Sequence, residues 1–271
     1  MTSQNIEDLP YRTVGGERLL GRLYRPEGGG PANWVVDAHG GAWGSGDRLN
    51  NEVIHKDLAA NGVGVFALDF RPSSVAKYPG PVEDVSCGVR WLKANAARLE
   101  IDAKLIGGLG SSSGGQQMGC VALAPMGTAW TSGDADLAGT DASLDFFVAC
   151  WPILDPLARF RMAQEKGNER LVAAHDAYFP DELSMSEGNP YLILERGEAT
   201  HLPPMIVIQG TSDANVEHTR ADIFADLYRT KGGRIDVEKY DGMPHTFVTA
   251  DPDADASRKA IIDIRNFVLA Q

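Results

Sequence analysis

The chain has few cysteines, an excess of acidic over basic residues and no long apolar run. Its 271 residues contain three cysteines, Cys87, Cys120 and Cys150, which are far apart and form no Cys-x-x-Cys pair. This excludes a disulfide scaffold and favours reduced thiols in a cytoplasmic protein. No uncharged apolar run approaches the ~18 residues of a membrane span. The polar segment Met1 to Pro10 lacks the basic and apolar regions of a signal peptide.

Positive charge is the minority sign in this sequence. Lys and Arg number 25 against 37 Asp and Glu, which gives a net charge of -12. Such a surface repels phosphate backbones and anionic headgroups, so we expect no nucleic-acid partner and no membrane partner. The spacing also lacks HExxH, HxH and the Walker A loop, so we expect neither a metal nor a cofactor.

Short apolar runs alternate with helical patterns along most of the chain. Apolar spacing of three and four residues predicts a helix from Val82 to Leu99, and further helices are expected over Val216–Lys231 and around Ile261–Val268. Strand-like runs buried on both faces are typical of a parallel sheet. These runs are Leu19–Tyr24, Trp34–Ala38, Gly62–Leu68, Leu105–Leu109, Phe146–Ala149, Met205–Ile208 and Ile235–Tyr240. The alternation predicts one α/β domain over residues 1–271, a mostly parallel, doubly wound sheet with helices on both faces.

One region interrupts this alternation. Between Pro125 and Pro204 there is a single good strand, and the rest consists of Gly/Asp-rich loops and helical segments such as Arg159 to Ala177. We therefore predict a cap or lid, roughly within residues 125–204, inserted over the carboxyl edge of the sheet.

The segment Gly110-Ser111-Ser112-Ser113-Gly114 fits G-x-S-x-G, and only Ser112 has a glycine two residues before it and two after. A strand precedes the motif, and a helix is expected from about Gln116. This is the strand–turn–helix context of a nucleophile elbow, in which the serine is exposed on a strained turn. Ser112 is therefore the predicted nucleophile. The competing interpretation is a plain Gly/Ser linker.

A serine needs a general base, and the base needs an orienting acid. The order Ser…Asp…His along the chain favours His245, which follows the strand-like Ile235–Tyr240. Asp213 follows the strand Met205–Ile208 and is the predicted acid, although an Asp at this place could instead be a helix N-cap. Glu217 and Asp155 are weaker substitutes for it. The other histidines are His39, which we expect to bond backbone, and His55, His175, His201 and His218.

A second glycine-containing loop, His39-Gly40-Gly41-Ala42-Trp43, follows the strand that ends at Ala38. Small residues allow backbone N–H groups to point at a developing oxyanion. We predict an oxyanion hole from Gly40, Gly41 and Ala42 together with Ser113. An ordinary glycine turn is the alternative. Because they flank these loops, Trp43, Trp151 and Met243 are candidate substrate-binding walls, and core packing is the alternative role for each.

Together these residues resemble the α/β-hydrolase superfamily, in particular its esterase/lipase branch related to hormone-sensitive lipase and bacterial acetyl esterases. The resemblance extends from about Trp34 to the C-terminus. It includes Asp69-Phe70-Arg71, the segment Tyr78–Val85 and the loop Trp151–Pro156.

By position, the resemblance implies that Ser112 is the nucleophile, Asp213 the acid and His245 the base, with the oxyanion bound by the N–H groups of Gly41, Ala42 and Ser113. The sequence departs from the family at Ala42, where many relatives have a third glycine, and at Gln116, which replaces a frequent histidine.

The function expected from these features is the hydrolysis of small carboxylic esters through an acyl-enzyme on Ser112. An amidase or arylformamidase would use the same residues on a different leaving group. A catalytically silent binding protein of this fold is a third hypothesis, because fold alone does not establish activity. The expected partner is a small-molecule ester, and a homo-oligomer is compatible with the sequence.

Overall fold

Eight strands form one sheet at the centre of the computed structural model, which describes residues 6–127, 129–131 and 135–271. Residues 1–5 of the polar N-terminal segment, and residues 128 and 132–134 of the predicted insertion, lie outside the described residues. The strands are β1 (Ile6–Val14), β2 (Glu17–Tyr24), β3 (Ala32–Ala38), β4 (Gly64–Leu68), β5 (Ala103–Ser111), β6 (Phe147–Cys150), β7 (Met205–Gly210) and β8 (Ile235–Tyr240).

The order across the sheet is β1-β2-β4-β3-β5-β6-β7-β8. The pairs β1–β2 and β2–β4 are antiparallel, and every other neighbouring pair is parallel. The mostly parallel sheet predicted from the sequence is therefore confirmed. The carboxyl ends of β3, β5, β6, β7 and β8 lie at the same edge, so the loops that follow them can meet there.

Helices cover both faces of the sheet. They are α1 (Glu52–Ala60), α2 (Gly80–Asn95), α3 (Ser113–Leu123), α4 (Pro156–Glu165), α5 (Glu169–Tyr178), α6 (Glu182–Glu187), α7 (Pro190–Glu195), α8 (Thr219–Thr230), α9 (Phe247–Ala250) and α10 (Asp255–Leu269). A single 3-10 turn covers Ala135–Leu137. No helix in the described ranges is both long and apolar enough to span a membrane.

Successive residues of the central strands enter two different cores. Val36 packs on the side of α2, α3 and α8, while its neighbour Val35 packs on the side of α1 and α10. This follows from the two-residue period of a strand, and it explains why the strand sequences are apolar without alternation. Val35, Val36 and Phe66 are completely buried, and full burial of such a side chain contributes about 1.5–3 kcal/mol.

The first strand was not predicted. β1 carries Glu7, Asp8 and Arg12, contains Pro10, and buries one residue, Tyr11. It lies at the edge of the sheet, with its register shifted between Pro10 and Arg12. Proline and charge are typical of edge strands, so the apolar signal of the inner strands is absent here.

Several predicted helix boundaries were wrong. The helix expected over Arg159–Ala177 is two helices, α4 and α5, because Gly167 takes a φ of 63° between them and the Asn168 side chain caps the second. α3 begins at Ser113 rather than Gln116, and α2 ends at Asn95 rather than Leu99. α8 begins at Thr219, three residues after the predicted start. α1 was not predicted at all.

Helices α4–α7 all lie between β6 and β7, within the range predicted as an insertion. α4 packs against α5 and α6, while α7 packs against α3 and α8. This group of helices therefore adjoins both the helix after the serine motif and the helix after Asp213.

Candidate active site

Ser112 lies on the turn between β5 and α3. Its φ of +49° and ψ of -116° place a non-glycine residue in the left-handed half of the backbone map, a strained conformation typical of functional turns. The backbone holds the turn, since Ser112 N donates to Cys150 O at 2.9 Å and Ile153 N donates to Ser112 O at 3.0 Å. The elbow context predicted from the sequence is present.

The second glycine of the motif is required by a close approach of two chain segments. A Cβ on Gly114 would lie 1.9 Å from Ala38 O and 2.4 Å from His39 O, at the end of β3. Both contacts are with backbone atoms and cannot be relieved by a rotamer change. The missing side chain thus allows the loop after β3 to lie directly against the start of α3.

Ser112, His245 and Asp213 form an unbroken hydrogen-bonded series. Ser112 Oγ lies 2.9 Å from His245 Nε2, and His245 Nδ1 lies 2.7 Å from Asp213 Oδ2. With Nδ1 donating to the carboxylate, Nε2 is left as the acceptor for the serine hydroxyl. The structure therefore brings together three residues separated by up to 133 positions in sequence.

Asp213 is fixed by the loop that carries it. Its Oδ1 accepts the N–H groups of Asn215 and Val216, and its Oδ2 also accepts from Gln209 Nε2 at 3.0 Å. α8 begins at Thr219 with His218 at its N-cap, so Asp213 is not the helix cap that we considered. The hydrogen bonds of Asp213 to its own loop also keep residues 213–216 out of the helix.

Burial and hydrogen bonding act in opposite directions on Asp213. Burial alone would raise the pKa of this carboxyl. The hydrogen bond and charge of His245, with the two backbone N–H donors, outweigh it and hold the pKa below its ordinary value. Asp213 is consequently ionised at neutral pH and can stabilise a positively charged His245.

The competing acids and bases have other contacts. Asp155 caps α4 through Ala158 N and also binds Asn189 and Arg220, while Glu217 pairs with Lys166 on the surface. Among the histidines, His39 Nδ1 donates to Gly40 O at 2.6 Å, which confirms its expected backbone bond. The others contact groups away from Ser112: His55 binds Asp37, His175 binds Leu171 O, His201 binds Leu144 O, and His218 contacts Lys239.

The loop after β3 has the backbone geometry that its glycines allow. Gly41 has a φ of 128°, and a Cβ there would lie 1.8 Å from Ser45 O. Ala42 follows at a φ of 51°, so alanine adopts the left-handed conformation that a third glycine would favour. Within the described residues, the N–H groups of Gly41, Ala42 and Ser113 make no hydrogen bond, so they remain free donors.

A cavity of about 320 Å³ opens at Ser112 and His245, within the usual size for a small-molecule site. Gly40, Gly41 and Ala42 line it, and so does Trp151. The other lining residues are polar or positively charged: Ser45, Asn50, Asn51, Ser111, Arg159, Arg170, Asn215, Thr246 and Thr249.

Two predicted wall residues lie elsewhere. Trp43 is 1% exposed and stacks on Tyr178 with ring centroids 4.9 Å apart, so it belongs to the core beneath the cavity. Its Nε1 donates to Gln116 Oε1, and Gln116 Nε2 donates to Gly188 O. Met243 does not line the cavity either. Its carbonyl accepts from Ser212 N and thereby supports the loop that carries His245.

A second polar network, not predicted from the sequence, lies beside the first. His55 Nε2 lies 2.8 Å from Asp37 Oδ2, and Asn51 Nδ2 donates both to Asp37 and to Ser111 Oγ. Asp37 and His55 are buried in the core, so neither contacts a substrate. This network fixes Ser111, the residue immediately before the strained serine. Asn51 and Asp37 are 14 residues apart with no recognisable motif between them, which is why the pattern gave no signal.

The described residues contain no group of three or more His, Cys, Asp or Glu side chains that could hold a metal ion. The three cysteines, Cys87, Cys120 and Cys150, are buried and form no disulfide among the described residues. Burial raises the pKa of the Cys120 thiol to about 12, and it also raises the pKa of the Cys150 thiol. The thiols of Cys120 and Cys150 are therefore protonated and unreactive at neutral pH.

Comparison with proteins of known structure supports the fold. A thermophilic esterase from the Planctomycetes species Thermogutta terrifontis, with propionate bound, superimposes with a TM-score of 0.80 at 25% identity, over 98% of this chain and 94% of that one. Seven curated proteins match this sequence significantly. They include a probable isoprenylcysteine alpha-carbonyl methylesterase of Oryza sativa subsp. japonica, 24% identical over 78% of this chain and 50% of the relative.

Two bacterial relatives extend the comparison. Esterase LipC of Mycobacterium tuberculosis (strain ATCC 25618 / H37Rv) is 27% identical over 73% of this chain and 49% of its own length. The ethyl acetate hydrolase of Pseudomonas putida is 33% identical over 41% of this chain and 36% of its own. The chain thus spans about half the length, or less, of the curated relatives it matches.

The sequence profile of the BD-FAE family matches residues 22–227. This range starts in β2 and ends in α8, and it includes the serine elbow, the loop after β3, the inserted helices and Asp213. Because the match extends over most of the chain and the sheet superimposes on that of an esterase, the predicted α/β-hydrolase fold is confirmed, and the chain belongs to the BD-FAE family.

Proposed function

We propose that this protein is a serine hydrolase that cleaves small carboxylic esters through an acyl-enzyme on Ser112. The observation that carries the proposal is the unbroken hydrogen-bonded series from Ser112 Oγ through His245 to an ionised Asp213. Relatives named as esterases, and the esterase with bound propionate, support the same reaction class.

In the first half of the reaction, Ser112 Oγ attacks the ester carbonyl while His245 Nε2 takes the hydroxyl proton. The charge that forms on His245 lies beside the Asp213 carboxylate. The negative charge that forms on the carbonyl oxygen is bound by the N–H groups of Gly41, Ala42 and Ser113, which are free donors. Ser113 is also the first residue of α3, whose N-terminus favours negative charge.

Collapse of the tetrahedral intermediate breaks the bond to the alcohol, and His245 returns the proton to the departing oxygen. Water then attacks the acyl group on Ser112, with His245 again acting as base, and releases the carboxylic acid. Each half of the reaction uses the same three side chains and the same oxyanion donors.

We infer that helices α4–α7 act as a cap over this site within a single domain. The support is that Arg159, from α4, and Arg170, from α5, line the same cavity as Ser112 and His245. The three buried cysteines form no disulfide among the described residues, which is compatible with the reducing cytoplasm as the site of action. Oligomeric state and the expected lack of a nucleic-acid partner stay predictions from the sequence.

The experiment that tests the proposal is intact-mass analysis after treatment with a fluorophosphonate probe, which phosphonylates activated serines. We expect one adduct on the native protein and none on Ser112→Ala. Ser111→Ala is the matched control, because Ser111 Oγ binds Asn51 rather than a histidine. This variant should keep the adduct.

A screen of the unlabelled native enzyme against matched esters and amides then separates the remaining possibilities. Turnover of esters with little turnover of the corresponding anilides supports the proposal. Turnover of amides or formamides alone would assign the same residues to an amidase. No adduct on folded native protein would contradict an activated serine and favour a binding protein.

A further inference from the structure

The cavity at Ser112 differs in charge from the rest of the molecule. The chain carries 37 Asp and Glu residues and a net charge of -12. None of the residues lining this cavity is acidic, and two of them, Arg159 and Arg170, are arginines. An acidic protein with a locally positive catalytic cavity attracts anions to that place and repels them elsewhere.

Arg159 is a buried guanidinium without a carboxylate partner. It is 6% exposed, and among the described residues no Asp or Glu lies within ion-pair distance of it. Its Nε donates to Asn215 O at 2.9 Å, its Nη1 contacts His175 Nε2 at 3.4 Å, and the group lies 5.9 Å from the centre of the Trp43 ring. All of these direct contacts are with uncharged groups, and the Asp213 carboxylate acts on the guanidinium only from beyond ion-pair distance.

One arm of this guanidinium has no partner. Arg159 Nη2 makes no hydrogen bond within the described part of the chain. This atom is not fully buried, so a ligand can reach it. This unbonded Nη2 group matters because burying a charge without a partner costs free energy, and an anionic group of a ligand would offset that cost. Most arginines elsewhere, such as Arg22, Arg48 and Arg71, already pair with carboxylates.

Arg170 lies at the exposed side of the same cavity. Its Nη2 donates to Asn215 Oδ1 at 2.8 Å, and it has no ion pair in the described ranges. Asn215 therefore binds Arg159 through its backbone carbonyl and Arg170 through its side chain. The same short segment includes Asp213, so the two guanidiniums are positioned by the loop that carries the acid of the Ser112 series.

We propose that the substrate is an ester that carries a carboxylate, and that Arg159 and Arg170 bind this carboxylate while Ser112 attacks the ester bond. This inference rests on the proposed esterase function and specifies its substrate class. A planar guanidinium matches a carboxylate through two parallel hydrogen bonds, which gives orientation as well as attraction. The other lining residues include no lysine, aspartate or glutamate, so the two arginines determine the charge of the cavity wall.

Two pairs of esters, each differing in one charge, test the proposal. On the acyl side, the 4-nitrophenyl monoester of adipic acid is compared with 4-nitrophenyl hexanoate. On the alcohol side, 4-acetoxybenzoate is compared with 4-acetoxybenzamide. We expect kcat/KM to favour the carboxylate member of one pair by about tenfold or more, since a charged hydrogen bond contributes about 1.5–3 kcal/mol.

Substitution of the arginines should remove this preference. Arg159→Gln should lower the carboxylate-to-neutral ratio of kcat/KM by about 10–100-fold. Arg170→Gln should lower it by about 2–5-fold, because solvent screens an exposed charge. Arg161→Gln is the matched control. It removes the same charge from the same helix, but its side chain is 62% exposed and pairs with Glu182, so the ratio should not change.

Because Arg159 is buried, its glutamine variant could unfold, and a thermal melt is recorded first. If it does unfold, Arg159→Lys, which keeps the charge and loses the planar fork, replaces it alongside the exposed Arg170→Gln. Equal or faster turnover of the neutral ester in both pairs would overturn the proposal, as would a ratio unchanged by every arginine variant. Failure of the esterase function itself is distinguishable, because it would abolish fluorophosphonate labelling of Ser112 and hydrolysis of the neutral esters as well.

Discussion

The protein contains two Asp–His pairs that differ in what the second ring nitrogen meets. In one pair, His245 Nδ1 binds Asp213 and Nε2 binds Ser112 Oγ, and the His245 side chain is 12% exposed. In the other, His55 Nε2 binds Asp37, while Nδ1 is buried and has no hydrogen-bond partner among the residues that the structure describes. The carboxylate contacts are nearly equal, at 2.7 and 2.8 Å.

The comparison shows that an Asp–His pair can transfer a proton only if the second ring nitrogen contacts a third group that exchanges one. His245 can take a proton from a serine and return it to a substrate, because Nε2 opens on the cavity. His55 has no such access, so its hydrogen bond with Asp37 has a structural role: it joins β3 to α1. The two pairs nevertheless adjoin, since Asn51 links Asp37 to Ser111, the neighbour of Ser112.

The largest expected effect is the loss of turnover in His245→Ala. Without its base, Ser112 stays protonated at neutral pH, and kcat for a neutral 4-nitrophenyl ester should fall by about 10⁴-fold or more. Steady-state kinetics measure it, with His55→Ala as the comparison. A loss of similar size in a folded His55→Ala would mean that the buried pair takes part in the reaction.

The second prediction concerns the stability contributed by the buried pair. His55→Ala removes a fully buried partner and leaves the Asp37 carboxylate with Asn51 alone, so the free energy of unfolding should fall by about 3 kcal/mol. Urea denaturation at neutral pH measures the loss. A change of less than about 1 kcal/mol would show that the Asp37–His55 contact is not structural.

A third histidine sharpens the comparison, because its charged neighbour is an arginine. Burial, reinforced by Arg159, lowers the pKa of His175 to about 4. Between about pH 6.5 and 4 the unfolded chain therefore binds a proton that the folded chain does not, so stability falls as pH falls through this window. His39, whose pKa burial also lowers, contributes in the same direction.

Because the pKa of His175 is lower in the folded than in the unfolded chain, we expect this residue alone to reduce the free energy of unfolding by about 2 kcal/mol between pH 7.5 and pH 5. Urea denaturation of the native protein and of His175→Gln at both pH values measures it. The variant should lose correspondingly less stability on acidification. Equal losses in the two proteins would contradict a neutral His175 in the folded state.

The smallest expected effect lies at the link between the two pairs. Asn51→Ala should reduce the free energy of unfolding by about 1–2 kcal/mol, since Asp37 and Ser111 lose a buried donor. Turnover should change less than in His245→Ala, because Ser112 and His245 keep their own contact. Parallel denaturation and kinetic measurements check both values. A kinetic loss as large as that of His245→Ala would show that the two pairs act as one unit.

The sequence predicted those parts of the site that depend on local motifs and on chain order. Ser112 was found from glycines that the backbone requires, and Asp213 and His245 from their place after apolar strands. Arg159 and Arg170 could not be found in this way. They lie on helices inserted between β6 and β7, where no strand end fixes a residue relative to the serine.

Physical reasons also explain the other errors. Trp43 follows the glycines of the loop, but its φ of 61° turns the chain so that the ring packs on Tyr178 rather than in the cavity. β1 was not predicted because it buries only Tyr11 and contains Pro10. The opposite edge strand, β8, was predicted because apolar residues at both of its ends are buried. Strands with several buried apolar residues and motif turns can thus be predicted from composition and spacing, whereas a strand with a single buried residue and the helices between β6 and β7 depend on tertiary contacts.

The contact of Gly114 with the end of β3 has a consequence for which residues position 114 can accept. A single added methyl group would clash with Ala38 O and His39 O. The serine turn and the loop of Gly40–Ala42 can therefore lie this close together only if residue 114 has no side chain. A larger residue at position 114 would push the loop after β3 away from Ser112, together with the N–H groups of Gly41 and Ala42. The exposed Arg170 of α5 has no such backbone contact, so a substitution there can change the charge of the cavity without moving Ser112.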